Sequence, residues 1–171
     1  MAKKKGLNLG LILCGVAALL GLVAIFMLFA PNIVSTVLDV KTEYSGLEAV
    51  FGAKHKTTVL GKEVEVEVFN FSFLSLLPYL LALVGVVLSV LAALGKLGKI
   101  APIAAAACFV VAAILFFIAV PACVLHGYDD ASADTVNKAK ESLSLGAGVI
   151  VAGVLSIVAA LSNAATLVLK K

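Results

Sequence analysis

The sequence predicts an all-α membrane protein, an antiparallel bundle of four transmembrane helices with a small extracellular cap that contains β-structure. Hydrophobic residues make up 63% of the 171 residues and charged residues only 13%, whereas soluble domains are nearer half apolar and a quarter charged. The apolar residues concentrate in four runs, at about 7–30, 74–95, 100–125 and 143–169. Each run reaches the roughly 20 residues that a helix needs to cross a bilayer. We therefore treat residues 1–171 as a single membrane domain.

The ends of these runs contain residues that are typical of helix boundaries. Pro78 and Pro102 lie near the starts of the second and third runs. Proline is tolerated in a first helical turn because the N–H groups there have no partner within the helix. Ser75 shortly precedes Pro78 and is the expected N-cap of the second helix. The first run is longer than the roughly 7–15 apolar residues of a signal-peptide core, so we expect an uncleaved helix.

The distribution of charge predicts how the helices are oriented. The segments on one side of the runs contain lysines and no acidic residue: Lys3, Lys4, Lys5, Lys96, Lys99, Lys170 and Lys171. All acidic residues fall in the two other segments, at about 31–73 and 126–142, which we call the first and second outer segments. Because lysine concentrates in cytoplasmic segments, we expect a multi-pass plasma-membrane protein with both termini in the cytoplasm. The short connection at 95–99 makes the second and third helices antiparallel neighbours.

The first outer segment contains the pattern of a β-hairpin. Glutamate and valine alternate from Glu63 to Val68, which gives a strand with one acidic face and one apolar face. Residues 57–60 can form the partner strand, with a turn around residues 60–62. Residues 44–52 fit either another strand or a short helix. The sequence thus predicts β-structure in this segment without fixing its extent.

The second outer segment contains a turn, a helical pattern and one group of metal-type residues. Residues 127–130 predict a turn, and residues 133–142 have a helical pattern that could continue into the fourth run without a break. His126, Asp129 and Asp130 are residue types that bind borderline metals. Their spacing is loose, however, and aspartates in a turn usually bond to the backbone. We therefore predict no metal site.

The acidic face of the hairpin is the candidate interaction surface. It contains Glu63, Glu65 and Glu67, and nearby in the sequence are Lys54, His55 and Lys56. Complementary charges steer protein association and suppress wrong partners, so a charged face outside the membrane is suited to binding. The alternative is that this face is only solvated.

The fourth run has small residues at every fourth position. The residues of this stripe are Gly148, Ala152, Ser156, Ala160 and Ala164. Lipid supplies no hydrophobic driving force between helices, so helices associate through the close approach that small residues allow. The stripe either packs within the four-helix bundle or faces a second subunit.

Several functions are disfavoured by what the chain lacks. The four runs contain no charged residue, although proton-coupled and cation-coupled carriers usually keep one at membrane depth. The sequence contains no hydrolase, metalloprotease or phosphate-loop motif, so we expect no enzymatic activity and no cofactor. It also contains no arginine, the usual residue for bidentate phosphate binding. We therefore expect no nucleic-acid partner.

The topology and one dipeptide resemble a known group of membrane proteins. The topology has four helices, cytoplasmic ends, a longer first outer segment with β-structure and a shorter second one, and the dipeptide is Gly46-Leu47. These features resemble the claudin-like tetraspan proteins, whose signature is Trp…Gly-Leu-Trp. The chain departs from that family in having no tryptophan and no cysteine pair in the first outer segment. Residues 45–47, 51–52 and 73–78 also resemble small uncharacterised four-helix proteins of low-GC bacteria, which implies no function.

These observations predict a non-enzymatic membrane protein with a structural or interaction role through its outer cap, as the claudin-like resemblance also implies. The expected partners are the lipid bilayer and another membrane protein or a second copy of the chain. The alternative is a subunit of an oligomeric pore or carrier for a neutral or lipid-like solute, assembled through the stripe of the fourth helix.

Overall fold

The computed structural model describes residues 9–37, 40–59, 62–128 and 131–169. This part of the chain is mostly helical and also contains small sheets. Its elements are, in chain order, α1 (Leu9–Phe26), a 3-10 turn (Met27–Phe29), β1 (Pro31–Val37), β2 (Val40–Ser45), α2 (Gly46–Phe51), β3 (Ala53–Val59), β4 (Lys62–Asn70), α3 (Phe73–Ala93), α4 (Ile100–Phe117), α5 (Ala119–Ala122), β5 (Val124–Leu125), α6 (Ala133–Lys140), β6 (Leu143–Leu145) and α7 (Ala147–Leu169).

The four predicted membrane spans are confirmed as helices. Within the described ranges, the helical segments long and apolar enough to cross a membrane are Leu9–Phe29, Phe73–Ala93, Ile100–Phe117 and Ala147–Leu169. The third and fourth are shorter than the apolar runs because 119–125 forms α5 and β5, and 143–145 forms β6. An apolar run does not by itself distinguish a helix from a short buried strand.

The chain divides into two compact units, and each is built from separate segments. Unit 1 contains the described residues within 9–26, 78–114 and 152–169. Unit 2 contains the described residues within 27–77 and 115–151. The boundaries fall inside α3, α4 and α7, so these helices begin in one unit and end in the other.

All four long helices contribute to the core of unit 1. Buried alanines of α1, α3 and α7 surround the ring of Phe109 on α4, which is 0% exposed. Two glycines leave space for this ring. A Cβ added at Gly21 would lie 2.7 Å from the ring, and one added at Gly85 would lie 3.0 Å from it, both closer than ordinary van der Waals contact. Such close packing is what holds helices together in lipid. The interior of unit 1 is therefore filled where its four helices meet.

Unit 2 contains, among its described residues, two antiparallel three-stranded sheets, with the strand orders β2-β1-β6 and β3-β4-β5. In each sheet, two strands precede α3 and the third follows α4. Ile33 of β1 is in register with Leu145 of β6, and Phe69 of β4 with Leu125 of β5. The ring of Tyr44 meets that of Phe69 edge-on at 5.0 Å in the shared core. The two outer segments thus fold together.

The predicted hairpin is confirmed, with longer strands than the alternating pattern indicated. Val59 lies opposite Lys62 at the turn end, and Ala53 lies opposite Phe69 at the far end, next to a bulge. The turn residues 60–61 lie outside the described residues. β4 extends beyond the Glu-Val repeat to Asn70, because its last two residues also pair with β5.

Residues 44–52 change from strand to helix, so both interpretations of them are partly right. β2 ends at Ser45 and α2 begins at Gly46. A capping box makes the change: the N–H of Glu48 donates to Ser45 Oγ at 3.3 Å, and the N–H of Ser45 donates to the Glu48 carboxylate at 2.7 Å. Each side chain satisfies a backbone donor that the helix end would otherwise leave free.

The prediction that Ser75 caps α3 is wrong. The helix begins at Phe73, and Ser72 is the capping residue, because its Oγ accepts a hydrogen bond from the N–H of Ser75 at 3.2 Å. Ser72 is held in place by the second outer segment, since its hydroxyl donates to Ala122 O at 2.8 Å. Serine is a favoured N-cap residue at either position. The hydrogen bond from Ser72 to Ala122, which is 50 positions further along the chain, distinguishes the two serines.

The expected continuous helix from residue 133 into the fourth span is also wrong. α6 ends at Lys140, and β6 and Gly146 separate it from α7. The N–H of Gly146 donates to Asn32 O at 2.8 Å, and a Cβ at Gly146 would clash with the carbonyl of Pro31. The backbone therefore leaves the helical path in order to pair with β1, and only glycine fits at the point of closest approach.

Candidate interaction surface

The described part of the predicted surface is centred on an ion pair across the hairpin. Glu67 Oε1 lies 2.9 Å from Lys54 Nζ, and the two residues are in register on β4 and β3. Both side chains are accessible, with 63% of Lys54 and 43% of Glu67 exposed. The hydrogen bond from Lys54, together with its charge, lowers the pKa of Glu67, so the carboxylate is ionised at neutral pH. An exposed pair adds little stability and remains accessible to a partner.

His126 brings the second outer segment to the same place. Its backbone N–H donates to Val68 O at 3.0 Å, which continues the pairing of β5 with β4. Its Nδ1 lies 2.8 Å from Asn70 Oδ1 and 3.5 Å from Glu67 Oε2. An amide oxygen only accepts hydrogen bonds, so in this contact the proton is on Nδ1. We call Lys54, Glu67, Asn70 and His126 the charge cluster.

The strand register gives the positions of the remaining surface residues, whose side chains lie outside the described part of the chain. Glu65 is paired with Lys56, and Glu63 is two positions further along the same face of β4. His55 is instead paired with Val66, and this pair lies between the Lys54–Glu67 and Lys56–Glu65 pairs along the hairpin. Successive strand residues belong to opposite faces, so the register separates His55 from the lysines and glutamates.

Of the residues considered as metal ligands, His126 alone lies in the described part of the chain. No group of three histidine, cysteine, aspartate or glutamate side chains there could bind one metal ion. His126 belongs to the charge cluster, and Asp129 and Asp130 lie outside the described ranges.

Two members of the charge cluster, Asn70 and His126, were not among the predicted surface residues. They are 56 positions apart in the chain, and the pairing of β4 with β5 brings them together. β5 has only two residues, which is too short to produce a periodic pattern. No local signal in the sequence could therefore have joined them.

The small-residue stripe of α7 is mostly buried within the chain. Gly148, Ala152, Ser156 and Ala160 are buried, and Ala164 is exposed. A helix turns by roughly 100° per residue, so positions four apart drift by roughly 40° at each step and the stripe winds around the helix. The next buried position is accordingly Asn163 rather than Ala164. Most of the stripe contacts residues of the same chain.

Unit 1 also contains a buried polar contact between two helices. Asn163 Nδ2 on α7 donates to Ser89 Oγ on α3 at 2.9 Å and to Ala159 O at 3.1 Å. Ser89 Oγ in turn donates to Gly85 O at 2.8 Å. Asn163 is 0% exposed, and its Oδ1 has no hydrogen-bond partner among the described residues. The contact fixes how α3 and α7 pack.

Taken together, these features define a candidate multi-pass membrane protein with a separate sheet-containing unit. Comparisons of the chain with protein-family models, with curated proteins and with solved structures gave no match. The resemblance to claudin-like proteins stays a prediction, and function is inferred below from the residues of this chain alone.

Proposed function

We propose that the chain is a non-enzymatic, multi-pass protein of the plasma membrane with a structural or interaction role, as in claudin-like proteins. Both termini lie in the cytoplasm, and unit 2 lies outside the cell, where it binds another membrane protein or a second copy of the chain. The orientation is supported by charge segregation, because every acidic residue lies between α1 and α3 or between α4 and α7. Lysine-rich segments without acids are typical of the cytoplasmic side.

The observation that carries this proposal is the charge cluster on an ordered scaffold. The pairing of β3, β4 and β5 holds Lys54, Glu67 and His126 together on an exposed surface. Binding residues are commonly held on the surface by such a scaffold. The four spans, in contrast, contain no charged residue that could act at membrane depth. We therefore assign the interaction to unit 2.

Crosslinking in native membranes tests this role. The wild-type chain and the charge-neutral double variant Lys54→Ser/Glu67→Ser would each be crosslinked, purified and analysed for what is attached. We expect the wild type to recover a specific partner or a second copy, and the double variant to lose most of it because charge complementarity at the surface is removed. The fold should persist, since an exposed ion pair contributes only about 0–1 kcal/mol.

A matched control comes from α6. The double variant Asp134→Ser/Lys138→Ser removes one acid and one lysine from exposed positions of the same unit. We expect this control to retain the partner. Recovery of the wild type always alone and as a monomer would refute the interaction, and equal retention by both double variants would refute the charge cluster as its site.

The alternative proposal is a subunit of an oligomeric pore or carrier for a neutral or lipid-like solute. Phe109 fills the interior of unit 1, so a pathway would have to lie between subunits. Most of the α7 stripe is buried within the chain, which leaves it little surface for such an assembly. A purified oligomer that conducts or transports a neutral solute would favour this alternative over the first proposal.

A further inference from the structure

The exposed phenylalanines of the chain are concentrated near the ends of membrane spans. Six of the nine phenylalanines are exposed: Phe26, Phe29, Phe51, Phe71, Phe73 and Phe117. Four of the six lie within the last or first turn of a candidate span. The exceptions are Phe71, two residues before α3, and Phe51, which belongs to α2. Phe51 therefore requires an explanation other than its position in a span.

The rings of Phe51 and Phe71 form an exposed pair. Their centroids are 6.1 Å apart, and the two residues are 60% and 54% exposed. The backbone holds them together, because the N–H of Ser72 donates to Val50 O at 2.9 Å. We call Phe51 and Phe71 the aromatic pair.

Gly52 makes this arrangement possible. Its φ is +105°, in the region that favours glycine, and a Cβ there would lie only 2.8 Å from Phe69 O. Any other residue would push the end of α2 away from β4 and separate the two rings. The aromatic pair is therefore a built feature of unit 2 rather than a chance contact of two mobile side chains.

The surroundings of the aromatic pair are amphipathic. A surface pocket of about 170 Å³ has both rings on its lining, together with Lys54 and Glu67 of the charge cluster. Two large rings held in water are unfavourable, because the transfer of apolar surface from water to an apolar environment is favourable. At the boundary between headgroups and acyl chains, in contrast, apolar rings are buried and charged groups remain hydrated.

The distance along the chain places the aromatic pair at that boundary. Phe71 precedes the first residue of α3 by two positions, and α3 is a candidate span. Two residues of extended chain reach about 7 Å at most, so Phe71 cannot lie far from the point where α3 enters the hydrocarbon. Phe51 lies beside it although it is 20 positions earlier in the chain.

We propose that Phe51 and Phe71 are an interfacial anchor that inserts into the headgroup boundary of the bilayer, with phospholipid as the partner. The anchor holds the end of α2 against the membrane. This inference rests on the proposed membrane location of α3 and on no property of the protein partner proposed above.

Single-tryptophan fluorescence tests the anchor, because the chain contains no tryptophan of its own. The full chain with Phe51→Trp would be reconstituted into phosphatidylcholine vesicles, with Phe71→Trp as a second reporter in case the first does not fold. Spin-labelled lipids quench tryptophan at the depth of the label. We expect stronger quenching by lipid labelled near the headgroup than by lipid labelled near the end of the acyl chain, and severalfold weaker quenching by aqueous iodide than for a water-exposed tryptophan.

Two further reporters make the outcomes distinguishable. Val87→Trp replaces an exposed residue in the middle of α3, and Val40→Trp replaces one at the start of β2, far along that strand from α2. We expect deep quenching for Val87→Trp and iodide quenching for Val40→Trp. If Val87→Trp is not quenched by lipid, the membrane location fails and the anchor with it.

If Val87→Trp is quenched deep in the bilayer but tryptophan at position 51 is open to iodide and not to lipid labels, only the anchor is overturned. A tryptophan at position 51 that is shielded from both quenchers would indicate a protein contact instead of lipid, which also overturns the anchor. Equal shallow quenching at positions 40 and 51 would mean that unit 2 has no specific anchoring site.

Discussion

Asn163 places a primary amide in the interior of unit 1, among helices whose other buried side chains are mainly alanine. The amide donates to Ser89 Oγ on α3 and also to Ala159 O on its own helix, at 2.9 and 3.1 Å. Only the bond to Ser89 joins two helices. Hydrogen bonds between membrane helices contribute about 0.6 kcal/mol on average and about 1.7 at most, so we expect this contact to specify packing more than to dominate stability.

A double-mutant cycle of Ser89→Ala and Asn163→Ala measures this contact. We expect each single variant to destabilise the folded chain and the pair to show a coupling energy of about 0.6 kcal/mol. Coupling arises because each substitution alone already removes the shared hydrogen bond. The measurement is reversible unfolding of the purified protein in mixed micelles.

The matched control replaces Ser156 in place of Ser89. Ser156 is also buried and donates to a carbonyl four residues earlier, Ala152 O at 2.8 Å. It lies seven positions before Asn163 on the same helix, so we expect coupling near zero. Equal coupling in the two cycles would show that the Ser89–Asn163 hydrogen bond does not contribute.

At the scale of elements, α1 shows that glycines of one helix can have different roles. A Cβ added at Gly21 would lie 2.5 Å from Val86 and 2.7 Å from the Phe109 ring, whereas one added at Gly15 meets nothing within 4 Å. Phe109 is fully buried, so it has little room to move aside. Gly21 is therefore required by the packing of α1 against α3 and α4, and Gly15 is not.

The variants Gly21→Ala and Gly15→Ala test this difference within one helix. We expect Gly21→Ala to destabilise the chain by about 1–3 kcal/mol, the usual cost of overpacking a filled core. Gly15→Ala should leave stability unchanged or raise it by up to about 1 kcal/mol, because alanine is the better helix former. Unfolding in mixed micelles measures both, and similar effects of the two substitutions would contradict the packing assigned to Gly21.

At the scale of the whole molecule, the acidic residues are confined to two of the segments between the long helices. The acids lie only in segments that contribute to unit 2, and the connection between α3 and α4 contains Lys96 and Lys99 with no acid. If all four candidate spans cross the membrane, both termini lie on the same side as that connection. We propose that this side is the cytoplasm.

Cysteine labelling in intact cells tests that orientation. In a background with Cys14, Cys108 and Cys123 replaced by alanine, a single cysteine would be placed at Ser132 or at Leu97, both exposed. We expect a membrane-impermeant maleimide to label Ser132→Cys in intact cells and Leu97→Cys only after permeabilisation. The reverse pattern would invert the proposed topology, and labelling of both sites in intact cells would contradict a single orientation.

The local features of the fold could be predicted from the sequence because they depend on composition and period. A run of about 20 apolar residues can only be a span or an unusually large core helix, and the Glu-Val alternation from Glu63 to Val68 fits only a strand. The hairpin also brings Lys54 opposite Glu67, whereas the partner strand predicted from the sequence covered only residues 57–60.

Tertiary structure alone decided the features that join distant residues. Short strands such as β5 and β6 become strands only because β4 and β1 offer free edges, so their own sequence carries too little signal to predict them. The same holds for the choice of Ser72 over Ser75 as a cap, and for the contact of His126 with Asn70. The aromatic pair depends on Gly52 and on the end of β4 together. The sequence by itself determined the four long apolar helices, because hydrophobicity acts residue by residue. Partners that are 20 to more than 100 positions apart were decided by packing.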